Sequence, residues 1–185
     1  KSEPNGPLAH GLSRPPQTES LAVARAIELG IKTSCPLYFV HVSCADSLKH
    51  IREAQKNGHK VYAEACLHHL IFDESRYHAP FHEAAPFVFS PPLRPASDRE
   101  ALWEGLADGT IQVVGTDHCP FNMEQKNLGR DDFRKIANGT GGVEYRLPIL
   151  YAEGVLKKRI SPERFVALVS SSPAQIFGLS PKKGR

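Results

Sequence analysis

Helical and strand-like periods of apolar residues alternate along the chain. After Pro15-Pro16, the residues Leu21, Ala24, Ala26, Ile27 and Leu29 recur at helical spacing, which predicts a helix over 17–29 ended by Gly30. A short apolar run over 37–42 then reads as a strand. Leu48, Ile51 and Ala54 share one face of a helix over 46–56, stopped by Asn57-Gly58, and a second strand over 60–65 follows. This β-α-β order with short connections predicts parallel strands joined by right-handed crossovers, and hence an α/β fold.

Residues 73–86 are rich in His, Pro and Ala without a clear period, so they read as a loop carrying short helical turns, long enough to border an active site. Phe87-Val88-Phe89 predicts a short strand that Ser90-Pro91-Pro92 must end. Ser97-Asp98-Arg99-Glu100 has the spacing of a capping box and predicts a helix that runs through Ala107 and closes near Gly109. A strand over 111–116 completes another β-α-β unit. A polar stretch then reaches Gly142, followed by expected helices over 143–153, 162–170 and 173–177.

The 185 residues are 41% hydrophobic and 23% charged, which fits one ordinary globular core. A formal net charge of +3 is too small to point to nucleic acid or a membrane surface, and the Lys157-Lys158-Arg159 and Lys182-Lys183 clusters read as solvated helix ends. No apolar stretch approaches the ~20 residues of a membrane span. Cys35, Cys44, Cys66 and Cys119 lack C-x-x-C spacing, which favours reduced thiols in a cytoplasmic protein.

Two expected strands end on metal-competent side chains, His41 and Asp117. Ligands delivered from different strand ends suit an α/β barrel whose site lies on its C-terminal face. Alone they do not define a metal site: a histidine ending a strand is more often a hydrogen-bonded rim residue, and Asp117 could cap a helix. Ser90 could cap the turn before Pro91, and Asn138-Gly139 could be a tight turn. His118 diverges from Asp117 and reads as an outer partner, while Cys119 has no base at useful spacing.

Six segments stand in a characteristic order: His10-Gly-Leu-Ser-Arg-Pro15, His41-Val-Ser43, Ser90-Pro-Pro-Leu-Arg94, Thr116-Asp-His-Cys-Pro-Phe121 with Glu124-Gln-Lys126, Asn138-Gly139 and Ile176-Phe-Gly-Leu179. On these the chain resembles the dihydropyrimidinase/D-hydantoinase family of cyclic amidohydrolases. The resemblance implies part of a TIM-like (β/α)8 metal-dependent hydrolase barrel. Residues 1–185 would be a partial barrel domain, a fragment without the N-terminal metal-binding half and the C-terminal β-sandwich segment, and inactive by itself.

The resemblance also implies a binuclear Zn²⁺ centre, with other divalent metals as alternatives, in which His41 binds one ion and Asp117 the other. Asp117 would move the proton during catalysis, and Ser90 and Asn138 would meet the substrate ring largely through main-chain atoms. The implied reaction opens a dihydropyrimidine or hydantoin to an N-carbamoyl amino acid by metal-activated hydroxide. The substrate is a small cyclic amide or imide, and the parent is expected to be a cytoplasmic homo-oligomer, commonly a tetramer. Allantoinase, dihydroorotase and a non-catalytic adaptor are the alternatives; retention of His41 and Asp117 favours an enzyme. The chain departs from the family at Glu64-Ala-Cys-Leu-His-His69, where relatives usually carry Glu-Thr-Cys-Pro; His68 and His69 could bind an adventitious metal, but adjacent histidines seldom chelate one ion together, and they are expected in a solvated loop.

Overall fold

The computed structural model describes residues 5–184. In chain order the elements are α1 (Pro7–Leu12), α2 (Pro16–Thr33), β1 (Leu37–Phe39), α3 (Ala45–Lys56), β2 (Val61–Cys66), α4 (Leu67–Ile71), α5 (Phe81–Ala84), α6 (Ala96–Asp108) and β3 (Val113–Gly115). The shorter α7 (Met123–Asn127), α8 (Arg146–Leu150), α9 (Pro162–Val166) and α10 (Ser172–Ile176) follow.

The strands form one parallel sheet in the order β1-β2-β3, with Leu37 opposite Val61 and Cys66 opposite Gly115. Strand alternation gives the sheet two faces. Val61, Ala63 and Ala65 are buried in the main core with Val23, Leu48, Ile51, Leu102 and Leu106 from the helices and with Ile111 from the connection before β3. Tyr38, Tyr62 and Glu64 occupy the other face half-buried, where the Tyr38 hydroxyl donates to Glu64 at 2.8 Å. A smaller cluster of Tyr77, Val88, Phe89, Leu93 and Ile136 lies beneath the loops.

Four local expectations need correction. Helix α2 does not stop at Gly30; it continues to Thr33 and is capped by Ser34 in the left-handed region at φ 55°. Gly30 instead gives strand β1 room to approach, because a Cβ there would meet Leu37 Cδ1 at 2.7 Å. Residues 87–89 form no strand; a 3₁₀ turn spans Ala85–Phe87, and the carbonyls that follow pair with side chains from distant segments.

The expected box at Ser97 is not formed either. Helix α6 begins at Ala96, and Asp98 accepts from the Ala45 N–H at 2.8 Å, capping the start of α3. The break expected between 170 and 173 is also missing, since a π-helical stretch over Ala167–Ser171 joins α9 to α10. Its wider turn accommodates Pro173, which has no N–H to donate.

All four cysteines are free thiols, with Cys44 and Cys66 buried. Among the described residues no helix is long and apolar enough to cross a membrane. Leu147, Tyr151, Val166, Phe177 and Leu179 leave apolar surface exposed along the last helices.

Candidate active site at the strand ends

His41 and Asp117 leave their strands through the same unusual backbone conformation. Their φ angles are 41° and 44°, and they are two of only four non-glycine residues with positive φ among the described residues. Each such conformation costs roughly 1–3 kcal/mol and persists where the surroundings over-determine it. For His41 the excursion lasts one residue, because the Val42 N–H donates back to Glu64 O at 2.8 Å. His41 is half-buried and Asp117 exposed on the C-terminal rim of the sheet.

The segment after His41 is held by Glu19 of α2. Its carboxylate accepts from the Ser43 N–H at 3.0 Å, from the Ser43 hydroxyl and from the Ser47 hydroxyl at 2.9 Å. Arg94, buried, bonds Ser43 Oγ through Nε at 3.0 Å and faces Glu19 at 3.4 Å. Burial pushes the Glu19 carboxyl up, but the Ser43 and Ser47 hydrogen bonds and the Arg94 charge outweigh it, leaving Glu19 below its ordinary value.

The Ser90 loop is clamped carbonyl by carbonyl. Lys126 Nζ donates to Val88 O at 2.8 Å, His10 Nε2 lies 2.7 Å from Phe89 O, and His69 Nε2 lies 2.9 Å from Pro91 O. Lys126 also donates to Ala137 O at 2.7 Å and Gly139 O at 2.8 Å, so one buried ammonium ties the Ser90 and Asn138 loops together. Burial pulls Lys126 down to about 8, which leaves it charged at neutral pH. Ser90 Oγ donates to Asn138 Oδ1 at 3.0 Å, and the Gly139 N–H donates to Val88 O at 3.0 Å.

His118 braces the same region from the β3 side, its Nδ1 accepting from the Gly142 and Val143 N–H groups at 3.1 and 3.3 Å. His41 and Ser90 line one cleft of about 340 Å³ with Arg14, Thr18, Glu19 and Arg94. Asn138 is joined to that cleft through Ser90. Asp117 is not part of its lining; it sits beyond the end of β3, with β2 between it and the strand that leads to His41, and its field reaches Cys66 at the end of β2, while the field of His41 reaches His68 and His69.

His68 and His69 are not in a solvated loop. They lie buried on α4, with the His68 ring 4.1 Å from that of Phe89. Lys126, His10 and Glu19 received no role from sequence reasoning, although Lys126 and His10 stand inside the ordered motifs. A lysine or histidine in an otherwise local motif carries no sign that its partners are remote carbonyls.

An imidazole and a carboxylate thus stand at separate parallel strand ends, near a polar loop held through its carbonyls, and both side chains are of a type that can take a divalent ion. Residues 12–185 match the Amidohydrolase family, and the chain belongs to it. Its sheet and helices are accordingly part of the TIM barrel of that family.

The chain is 45% identical over 179 residues to a D-hydantoinase of Geobacillus stearothermophilus, covering 96% of this chain and 38% of that protein. It superposes with a TM-score of 0.95 on D-hydantoinase from a Bacillus sp. AR9, at 47% identity over 97% of this chain and 39% of that one. Dihydropyrimidinase from Brevibacillus agri NCHU1002 gives the same TM-score at 45% identity, again covering 97% and 39%. The chain thus spans well under half the length of these relatives.

Proposed function

We propose that the protein to which this chain contributes opens the ring of a hydantoin or dihydropyrimidine to an N-carbamoyl amino acid, with residues 1–185 forming one part of its catalytic barrel. The observation that carries this reading is the convergence of His41 and the Ser90–Asn138 pair at one end of the parallel sheet. The relatives named D-hydantoinase and dihydropyrimidinase support the substrate class.

His41 and Asp117 would each hold a divalent ion, and nitrogen and carboxylate donors favour Zn²⁺. Such an ion supplies an acidified water at neutral pH. The residues of this chain do the rest. Main-chain groups of the Ser90 and Asn138 loops orient the ring through its own N–H and C=O groups, which are all that a cyclic diamide offers for directional contact. Asp117 takes the proton released as water adds to the ring carbonyl and passes it to the departing ring nitrogen as the C–N bond breaks. The carbonyl carbon becomes a carboxylate, its remaining proton passing to solvent, and the departing nitrogen, already bearing one hydrogen, becomes the terminal NH2 of the carbamoyl group. A cytoplasmic homotetramer acting in pyrimidine degradation completes the reading.

Steady-state assays of the complete protein on hydantoin and 5,6-dihydrouracil test it, with Asp117→Asn as control. Turnover that Asp117→Asn abolishes is the expected result. Turnover only of allantoin or dihydroorotate would replace the substrate assignment, and absence of any turnover in metal-replete protein would leave the adaptor reading.

A further inference from the structure

The turn from β2 into α4 gathers three side chains of metal-ligating type. Cys66 ends the strand and His68 and His69 lie on the helix, so that one ligand atom from each falls within 4.8 Å of the others. All three side chains are at least nine-tenths buried. His69 is already oriented: Nε2 donates to Pro91 O, which fixes the tautomer and leaves Nδ1 with a free lone pair. That Nδ1 is the only buried side-chain nitrogen or oxygen without a hydrogen-bond partner among the described residues. Buried polar atoms are almost always paired, so an orphan beside two further ligands points to an occupant.

The surroundings favour a particular kind of ion. Burial holds both imidazoles in the neutral, ligating form, His69 down to about 4 and His68 to about 2, and pushes the Cys66 thiol up. Two neutral imidazoles and one thiolate carry a single negative charge. With the Cys66 proton lodged on Glu64, a monovalent cation therefore gives a neutral complex, whereas a divalent one leaves a net positive charge beside the Phe89 ring. Thiolate is also the soft donor that His41 and Asp117 do not offer.

We propose that Cys66, His68 and His69 form a binding site for a soft monovalent metal ion, Cu(I) or its analogue Ag(I), distinct from the pair His41 and Asp117. Binding is ligand exchange without redox change. The S–H bond breaks, a metal–sulfur bond and two metal–nitrogen bonds form, and the proton passes to Glu64, whose Oε1 lies 4.0 Å from the sulfur. An apolar cleft of about 250 Å³, bordered by Leu67, His68, Phe89 and Thr140, provides the approach. Because His69 also holds Pro91 O, the ion sits one hydrogen bond away from the Ser90 loop.

The test is anaerobic Cu(I) titration of the purified protein against bicinchoninate, with X-ray absorption at the copper edge to read the ligands. The expected result is one Cu(I) per chain bound by one sulfur and two nitrogens. Affinity should fall by about tenfold or more in Cys66→Ser and in His69→Gln, and should be retained in Cys35→Ser and Cys119→Ser. Copper with nitrogen and oxygen ligands only, a sulfur ligand lost with Cys35 or Cys119, or no binding in competition with bicinchoninate would overturn the proposal. The wild-type spectrum decides the matter even if a core variant does not fold.

Discussion

Lys126→Met keeps an unbranched stem of similar length and removes the charge and all three donors. In the native chain each ammonium N–H has its own carbonyl, at 2.8, 2.7 and 2.8 Å from Val88, Ala137 and Gly139. Val88 O retains the Gly139 N–H after substitution, but the other two carbonyls lose this donor. Hydrogen bonds to a charged donor contribute about 1.5–3 kcal/mol each. Loss of the ammonium's own desolvation cost offsets part of that, so the net loss is about 3–5 kcal/mol, as expected for two carbonyls left without a donor at about 1–3 kcal/mol each. With a urea slope of about 1–3 kcal/mol/M for a small domain, the midpoint should fall by roughly 2 M. Amide exchange at Gly139 should accelerate in parallel, because its bond to Val88 closes the same loop. A stability change under about 1 kcal/mol would refute the argument, since the carbonyls would then be satisfied without the lysine.

Gly139 has φ 150°, and a Cβ there would lie 2.3 Å from the Cys119 carbonyl oxygen, so Gly139→Ala should cost more than about 2 kcal/mol and lower Tm; an unchanged Tm would show that the loop can move away freely. Burial lowers His10 and His69 from 6.5 to about 4 each, so between pH 6.5 and 4 the unfolded chain binds more protons than the native one. Stability should therefore be fully present above pH 6.5 and fall as pH drops through this window, by on the order of 3 kcal/mol per histidine; urea midpoints that stay flat from pH 7 to 4.5 would contradict the burial argument. His41→Asn replaces an imidazole held at φ 41° by a residue that tolerates the left-handed region, so stability should be unchanged or rise by up to about 1 kcal/mol while metal content falls. A loss above about 2 kcal/mol would mean that His41 is kept for packing.

The sheet was legible because the apolar period switches cleanly between strand and helix. Helix α3 begins at Ala45, one residue before the expected start, and ends at Lys56 as expected, because the Asn57-Gly58 stop is local chemistry. Residues 87–89 have the same apolar look as the true strands, yet their carbonyls are taken by Lys126 and His10, 38 and 79 positions away in sequence. No window-based reading can find such partners. The paired histidines failed for a related reason: they look like loop polarity, and only the fold brings Phe89 over them. His41 stood out by its place at a strand end, but its role as a ligand, like the roles of Ser90 and Asn138, came through family resemblance, since nothing in the immediate neighbours distinguishes a functional residue from a turn or rim residue.

The strain at His41 and Asp117 and the clamps around them are two aspects of one arrangement. A left-handed histidine or aspartate would relax if the chain on either side could move. Val42 bonds back to Glu64 one residue after His41, and Ser43 is gripped by Glu19 one residue later. After Asp117, His118 receives the Gly142 N–H, and Cys119 bonds Thr140 O at 3.0 Å. Each candidate ligand is thus fixed by contacts that begin immediately beyond it and involve no ligand chemistry of their own. The Ser90 loop follows the same rule, its carbonyls at 88, 89 and 91 held from three different segments while the Ser90 hydroxyl reaches Asn138. In the proposed ring-opening reaction, rigidity of this kind would serve to orient a small planar ring, because a cyclic diamide has too few atoms to organise a soft site around itself. The energetic cost of the strain and of burying Lys126 and His10 is therefore concentrated around the two strand ends and the Ser90 loop.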